Sequence, residues 1–71
     1  MSDAAVGITV NGECRTVAAG ASALDVVAEL GLEARPVAVE VNERVVPRRE
    51  LAGRTLRAGD RIEIVTLVGG G

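Results

Sequence analysis

The feature that most restricts the fold of this chain is an Asn-Gly pair between two short segments with the character of strands. Residues 6–10 alternate between apolar and small or polar side chains, and residues 13–17 can form the return strand. Asn11 and Gly12 lie between them, and both central positions of a type I′ turn need the positive φ that these two residue types adopt readily. The pattern therefore predicts an antiparallel hairpin near the start of the chain.

A single short helix is predicted after the hairpin. Ser22 is typical of an N-cap, and Asp25 three residues later gives a weaker version of the capping box. Gly31 is a natural closing residue for such a helix, which would then cover residues 23–30. Its predicted apolar face has helical spacing and consists of Leu24, Val27, Ala28 and Leu30.

Further strands are predicted beyond Pro36, which bars continuation of the helix. They cover residues 37–41, 44–46 and 61–65, with a tight turn at Asn42 and Glu43 and an irregular stretch with one helical turn over 48–57. Two hairpins joined through a helix place the first and last strands side by side in parallel. The prediction is an α+β fold of the β-grasp type, a mixed sheet of four to five strands with one helix on one face. Residues 1–66 would form a single domain and residues 67–71 an extended tail.

The composition argues against several classes of function. The 71 residues include eight basic and ten acidic side chains, a net charge of −2, and no aromatic residue, so a nucleic-acid partner is not expected. Histidine, the commonest general base, is absent, and we do not expect an enzyme. The lone cysteine, the lack of a membrane-length apolar segment and the lack of a signal peptide predict a cytoplasmic protein, monomeric when free, with no membrane partner.

The C-terminal glycines are the most distinctive candidate site. Gly69, Gly70 and Gly71 follow directly on an apolar strand, whereas frayed chain ends are usually polar. Residues without side chains can enter a narrow channel, and the absence of Cβ atoms lowers the steric hindrance to attack on the last carbonyl carbon. We therefore expect the α-carboxylate of Gly71 to be the reactive group.

A partner-binding surface is predicted beside this tail. If Ile62 and Ile64 belong to the core, alternation places the residues between them on the opposite face of the sheet. That face and the tail give the predicted partner-binding residues, which are Arg61, Glu63, Val65, Leu67, Val68, Gly69 and Gly70.

Other chemically active residues have simpler interpretations. Cys14 lacks a histidine to activate it and is interpreted as an ordinary strand residue near the sheet edge. Arg48, Arg49 and Glu50 are interpreted as a solvated loop, and Asp60 as a residue that satisfies turn amides. No metal-ligand spacing and no phosphate-binding loop is found in the sequence.

Over nearly its whole length the chain resembles the ThiS family of sulfur carrier proteins of thiamine biosynthesis, within the ubiquitin-like β-grasp superfamily and related to MoaD. The similarity is clearest in the block 45–48, Val-Val-Pro-Arg, and in 59–65, Gly-Asp-Arg-Ile-Glu-Ile-Val, followed by the terminal Gly70 and Gly71. Segments 8–12, 18–20 and 39–42 add to it. The third glycine, Gly69, departs from the family's usual tail and should be tolerated because it only adds flexibility.

The resemblance implies a sequence of reactions at Gly71. A ThiF/MoeB-like adenylating enzyme would activate the carboxylate with ATP, and a cysteine desulfurase or another sulfur donor would supply the sulfur of a thiocarboxylate. The carrier would then deliver that sulfur to thiazole synthase for the thiazole moiety of thiamine. ATP would be consumed by the activating partner, and the carrier itself would bind no cofactor and no metal.

Alternatives remain open at this point. Other carriers of the same fold serve molybdopterin, cysteine or sulfur-containing natural products, and the tail does not distinguish them, although MoaD-like tails tend to contain a proline that is absent here. A ubiquitin-like protein modifier would also use a terminal Gly-Gly. A β-grasp interaction domain would not need one, so deletion of Gly70 and Gly71 would leave its binding intact.

Overall fold

The computed structural model describes residues 4–67, and within them a mixed sheet packs against one α-helix and one 3-10 helix. The elements are β1 (Ala5–Val10), β2 (Glu13–Ala18), α1 (Ala23–Glu29), β3 (Val37–Val41), β4 (Arg44–Val45), the 3-10 helix (Arg48–Gly53) and β5 (Arg61–Thr66). The predicted mixed sheet with a helix is confirmed. Val68, Gly69, Gly70 and Gly71 lie outside the described residues, so the division at residue 66 stays a prediction.

Across residues 4–67 the sheet has five strands in the order β2-β1-β5-β3-β4. The first and last strands are parallel neighbours, with Thr9 opposite Arg61 and Val10 opposite Ile62. The other neighbouring pairs are antiparallel. The predicted parallel pairing of the first and last strands is confirmed, and it places β5 at the centre of the sheet.

Both hairpins turn through residues with positive φ. Asn11 and Gly12 have φ of 50° and 86°, as the predicted type I′ turn requires. Asn42 and Glu43, at 53° and 69°, make the second turn in the same region of φ, although a glutamate is not favoured there. β4 ends one residue before the predicted limit, although the Val46 N–H still donates to the Val39 carbonyl oxygen at 2.9 Å, and Pro47 is the N-cap of the 3-10 helix that follows.

The helix begins at the predicted residue, Ala23, and ends at Glu29, one residue before the predicted limit. The Ser22 hydroxyl accepts from the Asp25 N–H at 3.2 Å, and the Asp25 carboxylate accepts from the Ser22 N–H at 2.8 Å, so the capping box is complete. At the other end Gly31 has φ of 75°, and the C-cap is Leu30. The predicted apolar face packs against the core, with Val27 fully buried and Leu24 and Leu30 half-buried, but Ala23 and Val26 are also fully buried and were not predicted.

The core lies between the helices and one face of the sheet. Its members are small or β-branched residues and two leucines: Ile8, Val10, Val17, Ala23, Val26, Val27, Val39, Val41, Leu51, Leu56, Ile62 and Ile64. The two leucines come from the stretch predicted to be irregular, where a 3-10 helix of six residues replaces the predicted single turn. Leu51 is 1% exposed, so burial of its side chain contributes about 2 kcal/mol to folding. The opposite face of the sheet remains open to solvent.

Candidate functional site

The candidate site is the end of β5 and the open face of the sheet around it. β5 ends at Thr66, and the N–H of Leu67 still donates to the carbonyl oxygen of Pro36 at 2.9 Å. This hydrogen bond holds Leu67 beside Pro36, the residue that precedes β3. The predicted reactive residue Gly71 and the predicted binding residues Val68, Gly69 and Gly70 lie outside the described residues, so their roles stay predictions.

Alternation along β5 separates core and open-face residues as predicted. Ile62 and Ile64 are buried, whereas Arg61, Glu63 and Val65 are exposed on the other face. Leu67, next to the end of the strand, is 51% exposed. The geometry predicted for these residues is therefore confirmed, and their binding to a partner stays a prediction.

The neighbouring strands add open-face residues that the sequence analysis missed. Residues directly opposite each other in a sheet share a face, and the register places Ala38 opposite Val65 and Glu40 opposite Glu63. Val45 on β4 lies opposite Glu40 and is 70% exposed. Together with Val65, which is 57% exposed, Val45 gives this face exposed apolar side chains on both sides of β3. Alternation along β3 and β4 could have indicated which of their residues point away from the core. To place those residues beside β5, however, the order of the strands in the sheet must also be known.

Two asparagines at the hairpin turns hold β5 from both sides. The Asn11 side chain donates to the Ile64 carbonyl oxygen at 3.2 Å and accepts from the Ile64 N–H at 2.8 Å. On the other side, the Asn42 side chain accepts from the Arg61 N–H at 2.9 Å. β1 has already turned away at Asn11, so its side-chain amide continues the hydrogen bonding of β5 towards the tail.

Asp60 fixes the start of β5. Its carboxylate accepts from the Arg57 N–H at 2.8 Å and from the Asn42 amide at 3.0 Å. A guanidinium nitrogen of Arg54 lies 3.6 Å from the same carboxylate. Burial opposes ionisation, but these hydrogen bonds and the nearby arginines outweigh it and hold the pKa of Asp60 below its usual value. The prediction that Asp60 satisfies turn amides is confirmed.

The open face of the sheet near β5 is predominantly acidic. A shallow depression is lined by Glu40, Glu43, Arg61, Glu63 and Val65, three carboxylates and one guanidinium. A guanidinium nitrogen of Arg61 lies 3.9 Å from a carboxylate oxygen of Glu43. Both side chains are largely exposed, so this ion pair contributes little to stability.

The remaining candidate residues do not form a site. Cys14 is exposed on β2, which has a single neighbouring strand among the described residues. Arg48, Arg49 and Glu50 are exposed, and the Arg48 guanidinium donates to the carbonyl oxygens of Glu33 and Arg35. Within residues 4–67 no cluster of side chains could hold a metal ion, and no helix is long and apolar enough to span a membrane.

The described part of the chain therefore presents a strand end and a surface rather than a group of catalytic side chains. β5 is held by β1, β3 and two asparagine side chains, so its end has a fixed position in the sheet. An arrangement of this kind can present the C-terminal end of the chain to another protein, whose own residues perform the chemistry.

Comparison with known proteins agrees with this arrangement. A model of the ThiS family matches residues 8–71. The sulfur carrier protein ThiS of Thermus thermophilus is 39% identical over 64 residues, which are 90% of this chain and 98% of that protein. A thiazole synthase of Paramagnetospirillum magneticum is also 39% identical over 64 residues, but these are 20% of its length, so the chain spans a small part of that enzyme.

Solved structures give the same result. The crystal structure of the thiamine biosynthesis protein ThiS from Geobacter metallireducens has a TM-score of 0.77 at 32% identity, covering 93% of this chain and 100% of that one. The solution structure of a thiamine biosynthesis protein from the same organism has a TM-score of 0.74 at 32% identity, covering 93% and 88%. They confirm the predicted β-grasp fold. The chain thus belongs to the ThiS family, the small sulfur carrier proteins of thiamine biosynthesis, which are carriers and not catalysts.

Proposed function

We propose that this protein carries sulfur as a thiocarboxylate on Gly71 and delivers it to a thiazole synthase. The observation that carries the proposal is the family match over residues 8–71, which includes the glycines at the end of the sequence. The identity to a sulfur carrier over 98% of that carrier's length supports it. The hydrogen bonds at the end of β5 support it as well, because they hold in place the strand that precedes the C-terminal glycines in the sequence.

The chemistry requires activation because a carboxylate is a poor electrophile. A carboxylate oxygen of Gly71 attacks the α-phosphorus of ATP, pyrophosphate leaves, and the product is an acyl-adenylate. Where the donor carries the sulfur as a persulfide, its outer sulfur adds to the acyl carbon and AMP leaves with the oxygen, which gives an acyl disulfide. A thiol of the donor or of the activating enzyme then reduces the S–S bond, forming a disulfide and releasing the thiocarboxylate. A donor that supplies sulfide itself gives the thiocarboxylate directly as AMP leaves. Sulfur has thus replaced one oxygen of the carboxylate, with no change in the oxidation state of the acyl carbon. The carrier contributes position and access, while ATP is bound and consumed by the activating enzyme.

The partners follow from these steps. A ThiF/MoeB-like adenylating enzyme would activate Gly71, and a cysteine desulfurase or another donor would provide the sulfur. A thiazole synthase is the proposed acceptor because one thiazole synthase contains a region 39% identical to 90% of this chain. That polypeptide is named a thiazole synthase and contains a region similar to this chain. The presence of both in one polypeptide supports a physical association between carrier and synthase.

Intact-protein mass spectrometry tests the proposal. The protein with an unmodified C-terminus is incubated with ATP, a sulfur source and the activating enzyme of the same organism. We expect a mass increase equal to the replacement of one oxygen by sulfur, with fragmentation that assigns it to Gly71. A control with one residue added after Gly71 should show no shift, because the glycine carboxylate is then an amide. No shift on the unmodified protein with a competent enzyme would refute the carrier function.

The role of the surface beside the tail needs a separate test. Leu67→Asp places a charge on a half-exposed side chain at the end of β5, so it should slow adenylation without unfolding the domain. Ala34→Asp, which adds the same charge at an exposed position in the loop between α1 and β3, is the matched control. Equal adenylation kinetics for both variants and the unmodified protein would exclude Leu67 from the docking surface.

A further inference from the structure

Two glutamates face each other across neighbouring strands at the centre of the open face. Glu40 on β3 lies directly opposite Glu63 on β5. Like charges at opposite positions of an antiparallel pair destabilise the sheet. Among the described residues neither carboxylate is in an ion pair, since the guanidinium of Arg61 lies beside Glu43 instead. The folded carrier therefore keeps an unfavourable charge pair that a single substitution would remove.

Exposed apolar side chains flank these two carboxylates. Val45 lies opposite Glu40 on its other side, and Val65 follows Glu63 on the same face of β5. Both valines are more than half exposed. Exposed apolar side chains next to charged ones are typical of a surface that a partner covers, since both apolar contacts and charge pairs contribute to such an interface.

The distance from this face to the proposed reactive carboxylate favours a partner enzyme that acts on Gly71. Gly71 is four positions after Leu67, and a fully extended chain spans about 3.3–3.6 Å per residue, so the chain length allows at most about 14 Å between the two residues. An enzyme that holds Gly71 in its active site is thus close to the end of β5. Val65 and Glu63 are two and four residues before Leu67, within reach of the same enzyme surface.

We propose that Glu40 and Glu63 together bind a cationic side chain of the activating enzyme, an arginine or a lysine, that enters between them while apolar residues of that enzyme cover Val45 and Val65. This inference rests on the proposed function. A cation between the two carboxylates relieves their repulsion and satisfies both, so association gains from a charge pair that is unfavourable in the free carrier. The acidic face would also accelerate encounter with a basic surface, and salt would weaken this effect.

The arrangement predicts opposite effects on stability and on binding. Glu63→Arg creates an opposite-charge pair with Glu40 and should raise the thermal midpoint of the free carrier. The same change should weaken association with the activating enzyme, because it places a cation where the enzyme presents its own. A residue with only a structural role would not shift the two quantities in opposite directions.

Steady-state ATP–pyrophosphate exchange with the activating enzyme of the same organism measures the association. The carriers compared are the unmodified protein, Glu40→Gln/Glu63→Gln, Glu63→Arg, and Glu33→Gln as a control with the same charge change per residue in the loop after α1. We expect KM to rise about fivefold for the double variant and further for Glu63→Arg, with kcat within about twofold, and the salt dependence of kcat/KM to become weaker. Glu33→Gln should behave like the unmodified protein.

Thermal unfolding followed by circular dichroism completes the test. The double variant and Glu63→Arg should unfold at or above the midpoint of the unmodified protein. Unchanged KM and unchanged salt dependence in both open-face variants would overturn the proposal, as would an equal effect of Glu33→Gln. If the unmodified carrier itself supports no exchange, the proposed function fails, and this outcome is distinct from a failure of the docking surface alone.

Discussion

Replacement of Asn11 should loosen the end of β5 by an amount that can be worked out from two hydrogen bonds. The Asn11 amide makes both with the backbone of Ile64, at 3.2 Å and 2.8 Å. Each neutral hydrogen bond contributes about 0.5–1.5 kcal/mol to the free energy of unfolding. Because Asn11 is exposed, we take the lower half of this range for each of its two bonds. Asn11→Gly should therefore lower the free energy of unfolding by about 1–2 kcal/mol. Asn11→Ala also forces alanine to a φ of 50°, which adds about 1 kcal/mol.

Urea unfolding followed by far-ultraviolet circular dichroism measures these free energies, because a chain without aromatic residues has no intrinsic fluorescence probe. Amide hydrogen exchange gives the residue-specific result. The Ile64 N–H should lose protection in both variants, since its acceptor is the Asn11 side chain. The Thr9 N–H, which donates to the Asp60 carbonyl oxygen at 3.0 Å, is the internal reference because its bond does not involve that side chain.

Two results would refute this reasoning. Unchanged exchange at Ile64 in Asn11→Gly would show that the side-chain amide does not hold the strand in solution. Equal free energies of unfolding for Asn11→Gly and Asn11→Ala would show that the turn does not require positive φ at this position.

Three further changes test the elements around β5. Asp60→Asn should lower the free energy of unfolding at neutral pH. Because the pKa of Asp60 is lowered in the folded state, its carboxylate stabilises the fold above the usual carboxyl value of 3.8. This contribution is lost as the pH falls through the lowered pKa. The difference in free energy of unfolding between the unmodified protein and Asp60→Asn, measured by urea unfolding, should therefore become smaller in acid. Ser22→Ala should cost about 1 kcal/mol in the same assay, because the Asp25 N–H loses its capping oxygen. Glu43→Gly should leave the thermal midpoint unchanged or raise it, since relief of about 1–2 kcal/mol of strain at φ 69° exceeds or matches the entropic cost of glycine.

Local signals predicted most of the elements. Asn11 with Gly12, and Ser22 with Asp25, specify a turn and a helix start through contacts within three residues, and the structure has both. The alternation of Ile62 and Ile64 with exposed neighbours needed only the period of a strand. Gly71 was predicted from the glycines that follow an apolar strand and from the resemblance, and its chemistry stays a prediction.

What the sequence did not predict depends on contacts between distant segments. The Asn11 amide was assigned to its turn, but its two side-chain hydrogen bonds reach Ile64, 53 positions away. The position of Glu40 opposite Glu63 required both the strand order and the register, and a slip by one residue would have placed them on different faces. The sequence analysis missed Ala23 and Val26 on the buried helix face, because packing against the sheet, rather than the local apolar spacing, determines which side of a short helix is covered most.

The parallel pairing of β1 with β5 also determines how the carrier responds to force. The chain enters the sheet at the start of β1 and leaves it at the end of β5, so tension between the two ends pulls these neighbouring strands in opposite directions along their axes. Hydrogen bonds join the two strands, among them those from the Thr9 N–H to the Asp60 carbonyl oxygen and from the Asn11 N–H to the Ile62 carbonyl oxygen. Under such tension these bonds are loaded together in shear and cannot open one after another. If a partner binds the C-terminal residues and pulls on them, the pairing of β5 with β1 would therefore resist the force.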